Sequence, residues 1–169
     1  MQESEKRLER LTTVIPGFRG YTIREQRREA DRIVRDYISG VLTRSRDDLM
    51  RCFQLLNNAK AQELMEPTNQ LIAKLDRVAE KVNRASYGYS GFFDSVRIDA
   101  PQLDQMLTYD TQIMDTARKL ADLVSDLKTQ LSQNKLESVM NMEHDLENSI
   151  SQLETMFDRR KSIIEGVTI

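Results

Sequence analysis

The chain has no tryptophan, one cysteine, one histidine, three prolines and six glycines in 169 residues. Each shortage excludes something. A disulfide or a thiolate zinc site needs at least two cysteines, so Cys52 alone removes intrachain disulfide frameworks and zinc fingers. His144 alone cannot build a multi-histidine metal centre. Nine helix breakers are too few for a loop-rich β fold and suit long helices. No apolar run approaches the ~20 residues that cross a bilayer. The acidic start Met1-Gln2-Glu3-Ser4-Glu5 lacks the basic and apolar stretches of a signal peptide. A cytoplasmic protein is the simplest expectation.

Charged residues make up 31% of the chain, yet the net charge is only −2. The signs are unevenly placed. Residues 1–60 hold 13 basic against 9 acidic side chains, and residues 61–169 hold 12 against 18. Such an asymmetry steers self-association or docking on an acidic surface. The interspersed acids argue against a dedicated nucleic-acid face.

The breakers punctuate the chain, and the tracts between them are rich in Glu, Arg, Lys, Leu, Gln and Met, good helix formers. Residues 1–13 carry Leu8 and Leu11 among charges, which suits a short exposed helix or a mobile arm. Residues 14–21 read as a turn-rich apolar connector, after which Thr22 and Glu25 have capping-box spacing. We therefore divide the chain into an arm and connector (1–21) and one helical domain (22–169). An apolar stripe follows through Ile23, Ala30, Val34, Tyr37, Val41, Leu49, Cys52 and Leu56, predicting a helix that stops near Asn57-Asn58 or else runs on to Glu66. Pro67 predicts a boundary or kink. Leu71, Leu75, Val78 and Val82 define the next helix, ending near Ser86.

Residues 102–165 contain neither Gly nor Pro. One helix of that length would span about 96 Å, so the tract folds back, most naturally at Ser132-Gln133-Asn134. The face before that point includes Leu103, Leu107, Asp110, Met114, Ala117, Ala121, Val124, Leu127 and Leu131. The face after it reads Leu136, Met140, Glu143, Leu146, Ile150, Leu153, Phe157 and Ile164. The expected architecture is an all-α, antiparallel up-down four-helix bundle with long helices, a short N-terminal arm and one aromatic loop.

Among chemistry-bearing residues, His144 reads as a surface side chain. The residue three before it is Asn141, so the Glu-x-x-His pairing of a di-iron bundle is missing. The interior acids Asp110 and Glu143 are too far apart along a hairpin to share an ion. No metal and no cofactor are expected. Cys52 sits on the apolar face, the usual place of an inert thiol. No Gly-rich phosphate loop or nucleophile elbow is present, so no catalytic residues are assigned and an enzyme is not expected.

Two segments are candidate partner-binding elements. The first is basic: Arg24, Arg27, Arg28, Arg32 and Arg35. On a solvated face these would be laced by pairs such as Glu25 with Arg28, Glu29 with Arg32 and Asp31 with Arg35, each worth a few tenths of a kcal/mol. The second is an aromatic loop that gathers Tyr87, Tyr89, Phe92 and Phe93, four of the chain's ten aromatics, into seven residues. Such clusters cap a bundle or anchor a partner. Asp110, a carboxylate at a core position, requires burial against a partner, either an Arg of the first long helix or a Tyr hydroxyl.

The segment Ile15-Pro16-Gly17-Phe18-Arg19-Gly20-Tyr21, then Arg27-Arg28-Glu29-Ala30-Asp31-Arg32, Tyr87-Gly88-Tyr89-Ser90-Gly91-Phe92-Phe93-Asp94 and Tyr109-Asp110, resembles a group of small prokaryotic helical proteins. That resemblance covers about the first 45 residues and roughly residues 85–110; it implies a helical fold and carries no activity or site residues. The phage-shock-protein-A-like membrane-remodelling family is similar more distantly, through long helical hairpins and an amphipathic N-terminal segment. The first 13 residues here are more acidic and less apolar than a membrane-binding helix requires. The functional expectation is a non-enzymatic helical interaction or scaffold protein that binds a protein partner or itself as a homo-oligomer. The alternative is a peripheral membrane or envelope-stress adaptor that contacts anionic surfaces through the N-terminal arm and the Arg-rich helix.

Overall fold

The computed structural model describes residues 2–18, 24–85 and 100–164. Among these, all regular structure is helical: α1 (Gln2–Val14), α2 (Arg24–Asn58), α3 (Gln62–Arg84), α4 (Ala100–Ser132) and α5 (Val139–Ile164). The chain is all-α in this described part.

Two hairpins arise from the same local device. After α2, Lys60 adopts φ 58°, the Lys60 amide donates to the Asn57 carbonyl and the Ala61 amide to the Leu56 carbonyl. After α4, Asn134 adopts φ 55°, with the Asn134 amide donating to Leu131 and the Lys135 amide to Gln130. Both are Schellman endings, in which a left-handed residue lets the chain satisfy its last free carbonyls while reversing. Asn134 tolerates that conformation well; Lys60 does so at a cost of about 1 kcal/mol. The expected stops at Asn57-Asn58 and Ser132-Gln133-Asn134 are where the helices end.

Pro67 does not mark a boundary. It lies inside α3, five residues after the start at Gln62. Near an N-terminus its missing N–H removes a single helical bond. Buried Leu64 on one side and Leu71, Leu75, Val78 and Val82 on the other keep the helix docked.

Helix directions follow from paired side chains. Arg46 meets Asp76, and Arg35 meets the Asn83 carbonyl, so α2 and α3 are antiparallel. Asp110 meets Arg160 and Thr116 meets Met156, so α4 and α5 are antiparallel too. Across the hairpins the sense is parallel. Thr68 lies against Glu143, Lys74 against Glu147 and Lys81 against Glu154, numbers rising together on α3 and α5. Asp48 pairs with Lys128 across α2 and α4 at 2.8 Å. Thus α2 packs on α3 and α4, and α5 packs on the same two helices.

The N-terminal segment is not the exposed or mobile arm expected of it. Helix α1 packs on α4, with Leu11 fully buried and Arg10 paired to Asp115 at 2.7 Å. Ile15 and Phe18 continue the same core. Between them Pro16-Gly17 makes a tight turn closed by the Phe18 amide donating to the Ile15 carbonyl. Gly17 takes φ +85°, the conformation that a type II turn demands at its third residue.

The α5 face also differs from expectation. The helix starts at Val139, which is fully buried, whereas Met140 is 63% exposed and Leu136 precedes the helix. The connector takes up residues 133–138, so the stripe begins one position before Met140.

Candidate functional site

Two polar clusters are buried inside the helical core, at opposite ends. The first joins three helices. Arg160 on α5 donates through Nε to Asp110 Oδ1 on α4 at 2.5 Å and through Nη1 to Asp31 Oδ1 on α2 at 2.6 Å. Arg35, one turn after Asp31, donates through Nε to Asp31 Oδ2 at 2.8 Å and reaches the Asn83 carbonyl of α3 at 3.4 Å. All four side chains are buried, and the two arginines match the two aspartates in charge. Burial works to raise the Asp31 carboxyl; Arg160 and then Arg35 more than reverse this and hold it below the usual aspartate range.

Several expectations are corrected here. Asp110 is buried and paired, as expected, and it receives a guanidinium from Arg160 of the last helix, a partner not expected from the sequence. Arg35 is no partner-binding residue: it is 4% exposed and committed to Asp31. That pair is therefore interior, not part of a solvated face. Arg32 is exposed and pairs with Glu29 at 2.7 Å, the expected surface pair. Arg24, Arg27 and Arg28 have backbone in the first turns of α2, while their side chains lie outside the described residues. Tyr87, Tyr89, Phe92 and Phe93 lie outside the described residues altogether. Sequence reasoning missed Arg160, yet a signal existed. It stands three after Phe157 and four before Ile164, continuing the apolar stripe of α5.

The second cluster surrounds Glu143, 17 residues before Arg160 on α5 and about 26 Å away along the axis. Glu143 is 4% exposed. Its Oε1 contacts the hydroxyl of the buried Thr68 on α3, and its Oε2 has no hydrogen-bond partner. Thr68 also donates to the Leu64 carbonyl at 2.9 Å. A hydroxyl has one proton, so it cannot serve both acceptors fully. Burial raises the Glu143 carboxyl above its ordinary range, opposed only by the Thr68 contact.

Glu143 lies at a groove of about 210 Å³ between α3 and α5. Pro67, Leu71 and Met140 supply apolar walls; Lys74 and Glu147 stand at the rim. On α2 nearby, Cys52 is buried, and burial, then the charge of Asp48, push its thiol up to about 11. Lys128, hydrogen-bonded to Asp48, lowers that carboxyl in turn. His144 is exposed on the same groove. Among the described residues no group of three or more His, Cys, Asp or Glu is placed to hold a metal ion. No helix of the described residues is long and apolar enough to cross a membrane.

Comparison with known proteins finds no matching family model, no matching curated protein and no matching solved structure.

Proposed function

We propose that this chain is a non-enzymatic helical interaction or scaffold protein of the cytoplasm, built on a four-helix bundle, that associates with itself or with a protein partner. The observation that supports this best is the internal ion network. Asp31, Arg35, Asp110 and Arg160 are matched in charge and spent on one another across α2, α4 and α5. Buried polar pairs of this kind select one register of helices over others, which is their best-attested use. A protein whose surface must be presented in one geometry benefits from that. Met50 on α2 and Met140 on α5, the large apolar side chains left exposed among the described residues, offer adaptable contact points.

Sedimentation velocity over a wide concentration range tests the self-association. A species heavier than the 19.6 kDa chain, reduced by Met140→Glu or Met50→Glu, supports it. A monomer throughout, together with no protein captured by the immobilised chain from its native host, refutes the reading. The anionic-surface alternative has less support, because the apolar side of α1 is spent on α4 through Leu11 and Arg35 is interior.

A further inference from the structure

The α3–α5 groove has the chemistry of a small-ligand site. We propose that it binds a small aliphatic amine, whose primary ammonium is received by Glu143 and whose alkyl stem lies between Leu71, Pro67 and Met140. This goes beyond the interaction reading and does not depend on it.

Four observations converge. Glu143 is 4% exposed and lines the groove, and its Oε2 has no donor. Buried polar atoms in native proteins are nearly always satisfied, so each exception calls for an explanation. Its other oxygen is undersupplied, since the single Thr68 proton is also wanted by Leu64. The nearest rim cation does not fill the need: Lys74 is held by Ser151 at 2.7 Å and Glu147 at 3.3 Å. The volume, about 210 Å³, is below the ~300 Å³ of drug-sized pockets and suits a short chain.

The lining also selects the ligand's charge. Two carboxyl groups, Glu143 and Glu147, face the groove against one committed lysine, so an anion is disfavoured. An ammonium carries three donors, one for Glu143 with others left for Glu147 and Gln70. In the proposed complex the Glu143 carboxyl faces the groove, at the expense of the Thr68 contact, the one hydrogen bond given for that carboxyl. A buried carboxyl without a cation is favoured in its protonated form. At pH values where the empty site holds its proton, binding exchanges it for the cation: Glu143–COOH and R–NH₃⁺ give the Glu143 carboxylate paired with R–NH₃⁺, and one proton leaves to solvent; at higher pH the carboxylate pairs with the cation directly.

Other groups near Glu143 are Thr68 and Lys74 on α3, Cys52 on α2, and His144 and Glu147 on α5, with Asp48 of α2 and Lys128 of α4 on the far side of Cys52. His144 is an exposed imidazole on the same groove, so it needs its own control.

The test is calorimetric titration of the full chain with n-butylammonium from about pH 5 to about pH 8, in buffers of differing ionisation heat. One amine per chain is expected to bind saturably, with proton release confined to pH values at which the empty site is protonated. Affinity should rise up to about tenfold per pH unit until Glu143 is ionised. n-Butanol should not bind, and tetramethylammonium, which has no N–H, should bind at least about tenfold more weakly. Glu143→Gln should lose both the affinity and the pH slope, while His144→Gln keeps the slope. Gln70→Lys changes an exposed rim residue and supplies a built-in ammonium; it should fold normally and lose amine binding. The proposal is overturned by absence of saturable binding, by Glu143→Gln binding as tightly as the parent, or by a slope that disappears with His144. Self-association measured on the same samples is read separately, so either reading can fail alone.

Discussion

Replacing Arg160 by methionine removes the cation that ties α5 to α2 and α4 at once. Its side chain is 1% exposed, so water cannot readily take its place. Asp31 keeps Arg35 at 2.8 Å, while Asp110 loses the guanidinium contacts at 2.5 and 3.5 Å. Removing one partner of a buried ion pair costs about 3–5 kcal/mol, and the apolar methionine returns about 1 kcal/mol of that by burial. The expected net loss is about 2–4 kcal/mol. With a urea slope near 2 kcal/mol per molar, the unfolding midpoint falls by about 1–2 M. Adding Asp110→Leu should recover part of the loss, because the carboxylate that needed the cation is then gone. The double variant should be more stable than additivity predicts by at least about 1 kcal/mol. The pH sign is also set. Asp31 is held below its unfolded value of about 3.8, so its contribution is complete above that value and is lost as pH falls through the folded one. Asp31→Asn should therefore flatten stability against pH below about pH 4. A midpoint shift under about 0.3 M for Arg160→Met, or strict additivity in the double variant, would refute the network as the register-setting element.

Glu143 has the opposite linkage. Its folded value is raised above about 4.5, so its contribution is complete below that value and is lost as pH rises through the folded one; urea midpoints of Glu143→Gln should lack this decline. Cys52, buried and with its thiol pushed up to about 11, should react with a thiol reagent at pH 8 only as fast as the chain opens. Prompt reaction in the absence of denaturant would show that the α2 core face is not closed. Gly17→Ala places a Cβ 3.6 Å from Ile33 Cδ1, an ordinary contact, but forces alanine to φ +85°. The cost should be about 1–2 kcal/mol, seen as a lower thermal midpoint with unchanged helicity by circular dichroism.

Much of the helix layout was readable because it depends on short-range chemistry. The reversal at Asn134 needed only a polar, helix-poor point in a breaker-free tract, and the stop after Asn58 needed only the end of a stripe. Pro67 misled because its effect depends on distance from the helix start, and the Schellman turn at Lys60 is encoded by no glycine. Met140 fitted the apolar period as well as Val139 does. Which of the two is buried depends on where α5 begins, a choice made by the connector's conformation. Asp110 stood out as a carboxylate in an apolar face, but its partner lies 50 residues on, in a Asp158-Arg159-Arg160-Lys161 run that reads as surface.

The sequence by itself determined that this chain is helical, where its long helices turn, and that Asp110 and Glu143 are interior acids, because periodicity and turn chemistry act over a few residues. Tertiary structure decided the rest: that α1 docks on α4, that Asp31 and Arg35 are interior, that Arg160 completes their network, and that Glu143 lies at a groove with one oxygen unserved. Those outcomes depend on which helix faces meet, and in what register. An ion pair across helices carries no spacing rule along the chain, so only the packed helices reveal whether a charge is solvated, matched or left wanting.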